Sequence, residues 1–339
     1  MNNTISFLGS SIVQNQNLSN LRTDLFRLQT QISTGKKATT YAGLDNRVLD
    51  LLSARSDLSK TETYQNNINI VSSRIEVMNT NLDEITAFAN ELQKALIAVP
   101  KTAEEPDLVH IEALIDSNKS FIQQLLNTDI NGHYLFSGSA SNVEPIENLA
   151  TLENNIQVEM DAWFNGTQTY DEMIANIEAL SDEQVGYSED MSLADNIDVR
   201  VDDNLDVDYT VLANEQGFQD LLKVMSFFDR LVYPDSNDGS IAATGDEFYQ
   251  AIRDMSDILA TSIESIEQSQ VRLSYANSTI TNTESRLIEE KQFLSTIVND
   301  IEEVDLSETI AKLQQVELQL NASYQTISIV SDLSLSNFI

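Results

Sequence analysis

Hydrophobic residues follow a helical period near the start of the chain. Five leucine and isoleucine residues recur at spacings of three and four, which places them on one face of a helix. These residues are Leu18, Leu21, Leu25, Leu28 and Ile32. The glycine in the following segment, Thr34–Lys36, predicts that the helix ends there.

A longer apolar pattern opens with Leu44, Val48, Leu51 and Leu58 and becomes strict at Tyr64. Every expected seam position of a helix is apolar as far as Val99, in the order Tyr64, Ile68, Val71, Ile75, Met78, Leu82, Ile85, Ala89, Leu92, Leu96 and Val99. Pro100 predicts the end of this helix, because proline lacks the amide that a helix interior needs. Pro106 predicts the start of a shorter helix that runs through Leu125.

The end of the chain carries a second repeat, of seven residues. Its positions are Ile252, Leu259, Ile266, Leu273, Ile280, Leu287, Leu294 and Ile301. The companion positions are small or polar, namely Ser262, Ser269, Ala276 and Thr283. A sustained seven-residue repeat predicts coiled-coil packing, and small companions would let a partner helix approach closely. A last helix is predicted from Leu306, Ile310, Leu313, Leu320, Tyr324 and Ile327.

The middle of the chain has a different pattern of apolar and polar residues. Ile197–Val201 and Val207–Val211 alternate apolar with polar residues, as half-buried strands do, and Asp203 and Asn204 between them indicate a hairpin. A helix is predicted again near Gln219–Leu231. We therefore expect a mainly α fold: a long coiled-coil shaft built from both termini, with a smaller β-containing domain inserted in the middle. The expected domains are an N-terminal half of the helical core at 1–136, an acidic α+β domain at 137–247 and a C-terminal half at 248–339.

Charge narrows the range of partners. The formal net charge is −35, and residues 137–247 hold three basic and 25 acidic residues. Such a surface repels phosphate and anionic lipid, so we expect neither a nucleic acid nor a membrane surface as a partner. The excess charge is typical of a well-solvated surface.

Few residue types suited to catalysis or ligand binding occur in the chain. There is no cysteine, and the two histidines, His110 and His133, have no metal-spaced partner. No nucleotide-binding or nucleophile motif occurs. Trp163 and Phe164 are typical of a small-domain core, with a ligand platform as the alternative. We therefore predict no catalytic, cofactor-binding or metal residue and no enzymatic activity.

One acidic stretch resembles a calcium loop in its alternation. The sixth and twelfth positions of an EF-hand require glycine and glutamate, whereas valine and alanine stand there, which excludes an EF-hand. A looser calcium site is the alternative to solvent-facing strand residues. The alternating residues are Asp202, Asn204, Asp206 and Asp208.

Two kinds of hydrophobic targeting segment are not evident. Met1–Leu21 carries no lysine or arginine and has no sustained apolar run, so it is not a Sec signal peptide. No stretch approaches the roughly 20 apolar residues of a membrane span. If the protein works outside the cell, we expect it to leave by a route that needs no cleaved signal.

Four segments match motifs of one known protein family. Leu28–Lys36 (LQTQISTGK) is similar to the end of that family's first helix, and Asn131–Gly138 (NGHYLFSG) to a Gly-x-Tyr-x-Phe-x-Gly motif at Gly132, Tyr134, Phe136 and Gly138. Asp305–Leu313 (DLSETIAKL) resembles the opening of the terminal helix, and Leu333–Ile339 (LSLSNFI) the apolar carboxyl end. By these segments the chain resembles the flagellin superfamily, and within it the hook-associated proteins of the hook-filament junction. The resemblance covers the two ends and says little about the middle.

The resemblance implies a structural role outside the cell. A junction subunit of the bacterial flagellum would join the first hook-associated protein to flagellin through its terminal helices, with copies of itself in a ring and with an export chaperone as a further partner. It would leave through the flagellar type III channel without a cleaved signal peptide, and it would need no cofactor. The alternatives are a flagellin, which shares the helical plan, and a cytoplasmic coiled-coil scaffold.

The assembly seam expected from the helical repeats and the resemblance has seventeen members. They are Leu18, Leu21, Leu25, Leu28, Ile32, Ile68, Ile75, Leu82, Leu92, Ile266, Leu273, Ile280, Leu287, Leu294, Leu313, Leu320 and Ile327. Met1–Asn17 and the apolar tail should be loosely ordered before assembly, because their apolar residues lack partners that offset the entropy of ordering. The loop Thr40–Asn46 (TYAGLDN) departs from the Asp-Asp pair of many family members.

Overall fold

The computed structural model describes residues 2–101, 106–234 and 242–336, and these residues are mainly helical. The helices are α1 (Asn2–Thr34), α2 (Val48–Ile97), α3 (Val109–Leu126), α4 (Leu149–Phe164), α5 (Tyr170–Glu178), α6 (Asp182–Val185), α7 (Gln216–Phe228), α8 (Gly245–Glu302) and α9 (Leu306–Ser336). Two antiparallel hairpins contain the strands β1 (Asp129–Ile130), β2 (His133–Tyr134), β3 (Asp198–Asp202) and β4 (Leu205–Asp208). The mainly α fold class predicted from the sequence is confirmed.

The chain forms two compact units. The terminal unit contains residues 1–62 and 288–339, and the central unit contains residues 63–287. The division of the sequence at 137 and 247 stays a prediction. Among the described residues, no helix combines the length and apolar character that crossing a membrane requires.

In the terminal unit, α1 packs along α9. Leu18 and Leu28 are buried on the face of α1 that the 3-4 spacing predicted. Arg22 of α1 donates hydrogen bonds from Nε and Nη2 to the hydroxyl oxygen of Tyr324 on α9, at 3.0 and 2.9 Å. The guanidinium carbon also lies 5.7 Å from the centre of the tyrosine ring, within the range of a cation–π contact.

One hydrophobic cluster fills the central unit. It joins the seam of α2 to the seam of α8 and includes Ile68, Ile75, Leu82, Leu92, Ile266, Leu273, Ile280 and Leu287. Gln270 of α8 also donates a hydrogen bond to Asp83 of α2 at 2.8 Å. The start of α7 packs against the small companion positions of α8. There Ser262 donates a hydrogen bond to the carbonyl oxygen of Gly217 at 2.6 Å. A Cβ atom at Gly217 would lie 2.9 Å from Ser265, so only glycine permits this approach without a shift.

The middle of the chain is more helical than predicted. The helices α4, α5 and α6 were not expected, although each follows a capping residue in the sequence. Asn148 accepts a hydrogen bond from the amide of Ala150 at the start of α4, and Thr169 begins a capping box at the start of α5. Ser181 begins another capping box at the start of α6. These capping residues did not lead to a helix prediction, because the region is rich in residues typical of turns.

The second predicted strand is displaced toward the start of the chain. β4 covers Leu205–Asp208 rather than Val207–Val211, because the pairing is interrupted at Thr210. There the amide donates to a carboxylate oxygen of Asp208 at 2.8 Å, and the hydroxyl oxygen accepts from the amide of Ile197 at 2.8 Å. The helix predicted near Gln219–Leu231 is observed earlier, as α7.

Candidate assembly site

The Ser-Thr-Gly turn after α1 contacts the break between α8 and α9. Gly35 has a φ of +68°, and its amide donates to the carbonyl oxygen of Gln31 at 2.8 Å, which ends the helix. The amide of Lys37 donates to the carbonyl oxygen of Glu302 at 2.7 Å, and the amide of Val304 donates to that of Gly35 at 3.0 Å. The turn after α1 and the residues just before α9 thus meet in a short antiparallel bridge, which we call the joint.

Charge reinforces the joint. The side chain of Glu302 is 11% exposed and forms ion pairs with Lys36, at 3.2 Å, and with Arg55 of α2. Lys37 donates from Nζ to the carbonyl oxygen of Asp300 near the end of α8. A carboxylate removed from water in this way requires its cations, so the joint depends on side chains from three separate segments.

The opening of α9 is fixed by an N-cap. A carboxylate oxygen of Asp305 accepts hydrogen bonds from the amides of Ser307, at 2.8 Å, and Glu308, at 3.0 Å. These amides are among the first of the helix and have no carbonyl partner within it. The side chain of Glu308 pairs with Lys312 at 2.6 Å. The segment Asp305–Leu313, which resembles the opening of the family's terminal helix, therefore does begin a helix.

The predicted seam residues are buried or half-buried within the chain. The buried members are Leu18, Leu28, Ile68, Ile75, Leu82, Leu92, Ile266, Leu273, Ile280, Leu287 and Leu294. The half-buried members are Leu21, Leu25, Ile32, Leu313, Leu320 and Ile327. The half-buried side chains lie on α1 and α9 and retain area that a neighbouring molecule could cover. Their role in assembly stays a prediction.

Other apolar residues of the terminal unit are largely exposed. On α1, Phe26 is 73% exposed, and on α9, Leu318 and Ile329 are 71% and 60% exposed. Leu318 and Ile329 are eleven residues apart, close to three helical turns, so they lie on one face of α9. That face points away from Leu320. These exposed residues are not among the predicted seam residues. The spacing of Leu318 and Ile329 outside the main seam was the signal in the sequence that could have identified them.

The family motif in the central unit begins with a tight hairpin turn. Asn131 and Gly132 have φ values of 57° and 80°, the positive pair that a type I′ turn requires between β1 and β2. The amide of Gly132 donates to a carboxylate oxygen of Asp129 at 2.9 Å. The amide of Tyr134 donates to the carbonyl oxygen of Ser141 at 2.7 Å. The hairpin thus directs the chain from the end of α3 toward the middle segment.

The remaining motif residues are structural. Phe136 is fully buried, its ring lies edge-on to that of Phe218 with the ring centres 6.4 Å apart, and its carbonyl oxygen accepts from the amide of Ala213 at 2.8 Å. Gly138 has a φ of +53°, and a Cβ atom there would lie 2.6 Å from the carbonyl oxygen of Asp195. The motif therefore combines one core side chain with two positions that favour glycine.

Of the residues considered for ligand binding, the tryptophan packs in the core and the two histidines lie on the surface. Trp163 is buried, and its ring centre lies 4.8 Å from that of Phe164 and 5.7 Å from that of Tyr170. His133 is exposed and lies 3.2 Å from the hydroxyl of Ser141, and His110 is exposed on α3. This arrangement is that of a core tryptophan and of surface histidines.

The alternating carboxylates of the β3–β4 hairpin bind protein groups. Asp202 pairs with Arg286, and Asp206 accepts two hydrogen bonds from Arg200 at 2.8 and 2.9 Å. Asp208 accepts from the amide of Thr210 and from a side-chain amide. Within the described part of the chain, no group of three or more metal-ligating side chains is close enough to hold a metal ion.

Several polar groups of the central unit are buried and hydrogen-bonded. Lys223 of α7 is 3% exposed and donates to the carbonyl oxygen of Glu178 at 2.9 Å. Burial lowers the pKa of Lys223, and the nearby carboxylates of Asp220, Glu178 and Asp182 partly offset this effect. Burial also raises the pKa of Tyr187, whose hydroxyl donates to a carbonyl oxygen at 2.6 Å. These groups lie inside the core and are placed for packing rather than for catalysis.

Two comparisons with known proteins give matches, one to a family model and one to a solved structure. Residues 5–141 match the family model of the bacterial flagellin N-terminal helical region. The fold is similar to that of a protein from Vibrio parahaemolyticus described as a flagellar hook-associated protein, with a TM-score of 0.51, 15% identity, and coverage of 76% of this chain and 97% of that chain. No curated protein matches the chain. Residues 5–141 are thus similar to the flagellin N-terminal helical region, and the fold is similar to that of the flagellar hook-associated protein.

Proposed function

We propose that the chain is a structural subunit of the bacterial flagellum, of the hook-associated kind that joins the hook to the filament. The match of residues 5–141 to the flagellin N-terminal helical region carries this proposal. The similarity in fold to a flagellar hook-associated protein supports it. The role is structural and uses helix packing in place of a catalytic centre.

The bare faces of α1 and α9 support assembly through the terminal unit. Phe26, Leu318 and Ile329 are exposed, although burying such side chains contributes about 1.5–3 kcal/mol each. Neighbouring subunits would cover them and order both helices further. The partners in this proposal are the first hook-associated protein, flagellin and copies of the chain itself in a ring. A type III export chaperone would bind the chain before export.

A flagellin is the second candidate. The matching family model is that of flagellin, and flagellin shares the helical plan. The Gly132–Gly138 motif and the apolar carboxyl end at Leu333–Ile339 favour the junction subunit. Of that apolar end, Phe338 and Ile339 lie outside the residues that the structure describes, as do the side chains of Leu333 and Leu335. Met1, at the other end, also lies outside them.

Deletion of the gene tests the proposal. A junction subunit predicts hooks without filaments in electron micrographs, together with flagellin shed into the medium as monomer. Complementation with the intact chain should restore the filaments. Normal filaments and motility in the deletion strain would contradict the junction role.

The copy number separates the two candidates. A junction subunit should be present in sheared flagella at a small, constant number per filament, whatever the length of the filament. A flagellin should scale with filament length. Quantitative mass spectrometry of length-fractionated filaments measures this ratio, and absence from sheared flagella would favour the cytoplasmic scaffold.

A further inference from the structure

The β3–β4 hairpin has an unpaired outer strand. β4 pairs with β3 on one side, with Val207 opposite Val199 and Asp206 opposite Arg200. Among the described residues this sheet has two strands, so no described strand covers the other edge of β4. An uncovered strand edge presents backbone amides and carbonyls that can pair with another chain.

The outer edge of β4 faces a groove. Six consecutive residues, Leu205–Thr210, line one wall of a cavity of about 740 Å³. Side chains alternate between the two faces of a strand, so six consecutive residues can line one wall only where the backbone edge itself faces the cavity. The opposite wall is a stripe of α8 formed by Arg272, Tyr275, Ala276 and Thr279. These positions share one face of the helix.

The groove is held open by contacts at the tip of the hairpin. Tyr64 of α2 donates its hydroxyl to Asp203 at 2.8 Å, and Asn67 donates to the carbonyl oxygen of Arg200 at 3.0 Å. On the other side, Arg286 of α8 pairs with Asp202. The tip is therefore attached to both long helices while the edge of β4 stays uncovered. A ligand would meet a formed groove and would not have to open one.

The charges along the groove favour a basic ligand. Arg272 pairs with Glu215 at 2.5 Å, so this arginine is already neutralised. Asp208 is exposed and accepts hydrogen bonds only from uncharged donors among the described residues, the side chain of Asn196 and the amide of Thr210, both at 2.8 Å. The carboxylate of Asp208 can therefore pair with a basic side chain of a ligand.

We propose that the outer edge of β4 and the facing stripe of α8 dock an extended, lysine- or arginine-bearing segment of another protein. The segment adds to the sheet as a third strand. Backbone hydrogen bonds to β4 provide affinity, and the carboxylate of Asp208 selects basic side chains. Tyr275, which is 72% exposed, offers an apolar surface to the side chains between them. This role is independent of the proposed assembly through the terminal unit.

The test uses short synthetic peptides and the full chain. Both peptide pools contain valine, isoleucine or threonine at every second position. The positions between are lysine in one pool and glutamate in the other. We expect the lysine pool to bind, with a salt-sensitive affinity, and the glutamate pool not to bind. Hydrogen exchange should slow at the amides of residues 205–210 when the lysine pool is present.

Matched variants locate the binding. Thr279→Trp fills the groove and should weaken peptide binding by about tenfold or more. Thr281→Trp is the control, since both threonines are exposed on α8 and donate to the carbonyl oxygen four residues earlier, but Thr281 does not line the groove. Asp208→Asn should reduce the preference for lysine severalfold. Asp198→Asn, its exposed cross-strand partner outside the groove, should not.

Four results would overturn the proposal. These are equal binding of both pools, an equal effect of Thr279→Trp and Thr281→Trp, protection elsewhere than at β4, and self-association of the chain that Thr279→Trp abolishes. The last result would assign the groove to a second copy. Circular dichroism of each variant establishes that a loss of binding is not a loss of folding.

Discussion

The ammonium nitrogen of Lys36 lies 3.2 Å from a carboxylate oxygen of Glu302, across a sequence separation that spans most of the chain. Arg55 pairs with the same carboxylate, and the backbone of Lys37 bonds to the carbonyl oxygen of Glu302. The end of α1, the start of α2 and the end of α8 therefore depend on one side chain. This dependence makes the joint a point at which the order of the terminal unit can be changed by substitution.

Glu302→Gln should loosen the joint. The substitution removes the charge that Lys36 and Arg55 neutralise, and their side chains are 50% and 40% exposed, so they regain water. We expect local destabilisation of about 1–2 kcal/mol, seen as roughly tenfold faster hydrogen exchange at the amides of Lys37 and Val304. Glu303→Gln, at an exposed neighbour, is the control, and equal effects of both variants would contradict this role for Glu302.

Asp305→Ala should fray the start of α9. The variant leaves the amides of Ser307 and Glu308 without their carboxylate acceptor, which typically costs about 1 kcal/mol. Hydrogen exchange in the first turn of α9 measures the loss. Asp305→Ser retains an oxygen acceptor and should recover most of the protection, whereas equal fraying in both variants would exclude an N-cap role.

Gly138→Ala should destabilise the central unit more than Gly132→Ala. Both glycines have a positive φ, but the space around them differs. A Cβ atom at Gly132 would meet no other heavy atom within 4 Å, whereas a Cβ atom at Gly138 would lie 2.6 Å from the carbonyl oxygen of Asp195. We expect losses in the free energy of unfolding of about 1 kcal/mol at Gly132 and about 2–4 kcal/mol at Gly138. Urea denaturation measures the free energy of unfolding of both variants. Similar losses would show that the positive φ alone, and not the contact with Asp195, sets the cost of the substitution.

Lys223→Met should change the pH dependence of stability. Burial lowers the pKa of Lys223 below its ordinary value of 10.5, so folding disfavours the charged form at neutral pH. As the pH rises from the folded-state pKa to 10.5, the unfolded chain keeps this proton and the folded chain releases it, which stabilises the wild type. The wild type should therefore gain stability relative to Lys223→Met over this window. A stability difference that does not vary with pH would rule out this linkage.

Phe26→Ser and Leu318→Ser should weaken assembly without lowering the stability of the isolated chain. Both side chains are more than two-thirds exposed, so their removal costs little before association. Polymerisation with flagellin or with further copies of the chain, followed by light scattering, measures the effect. Val158→Ser, at a 63% exposed position of α4, is the control, and unchanged assembly in the first two variants would place the interface elsewhere.

The sequence by itself determined the positions of the long helices and several of their ends. The apolar period predicted α2 and α8, and Pro100 and Gly35 marked helix ends. These features depend on interactions between residues close in the chain, so local patterns carry them. The same reasoning missed α4 to α6, where short capping signals lay within a turn-rich composition.

Only the tertiary structure decided which apolar faces are covered. The periodic pattern marks Leu82 and Leu273 as seam residues, but it does not say that they share one core within the chain. Nor does it show that Phe26 is bare, that Glu302 is enclosed by two cations, or that β4 leaves an edge open to a groove. Burial depends on contacts between segments far apart in sequence, because apolar area is removed from water only when such segments meet.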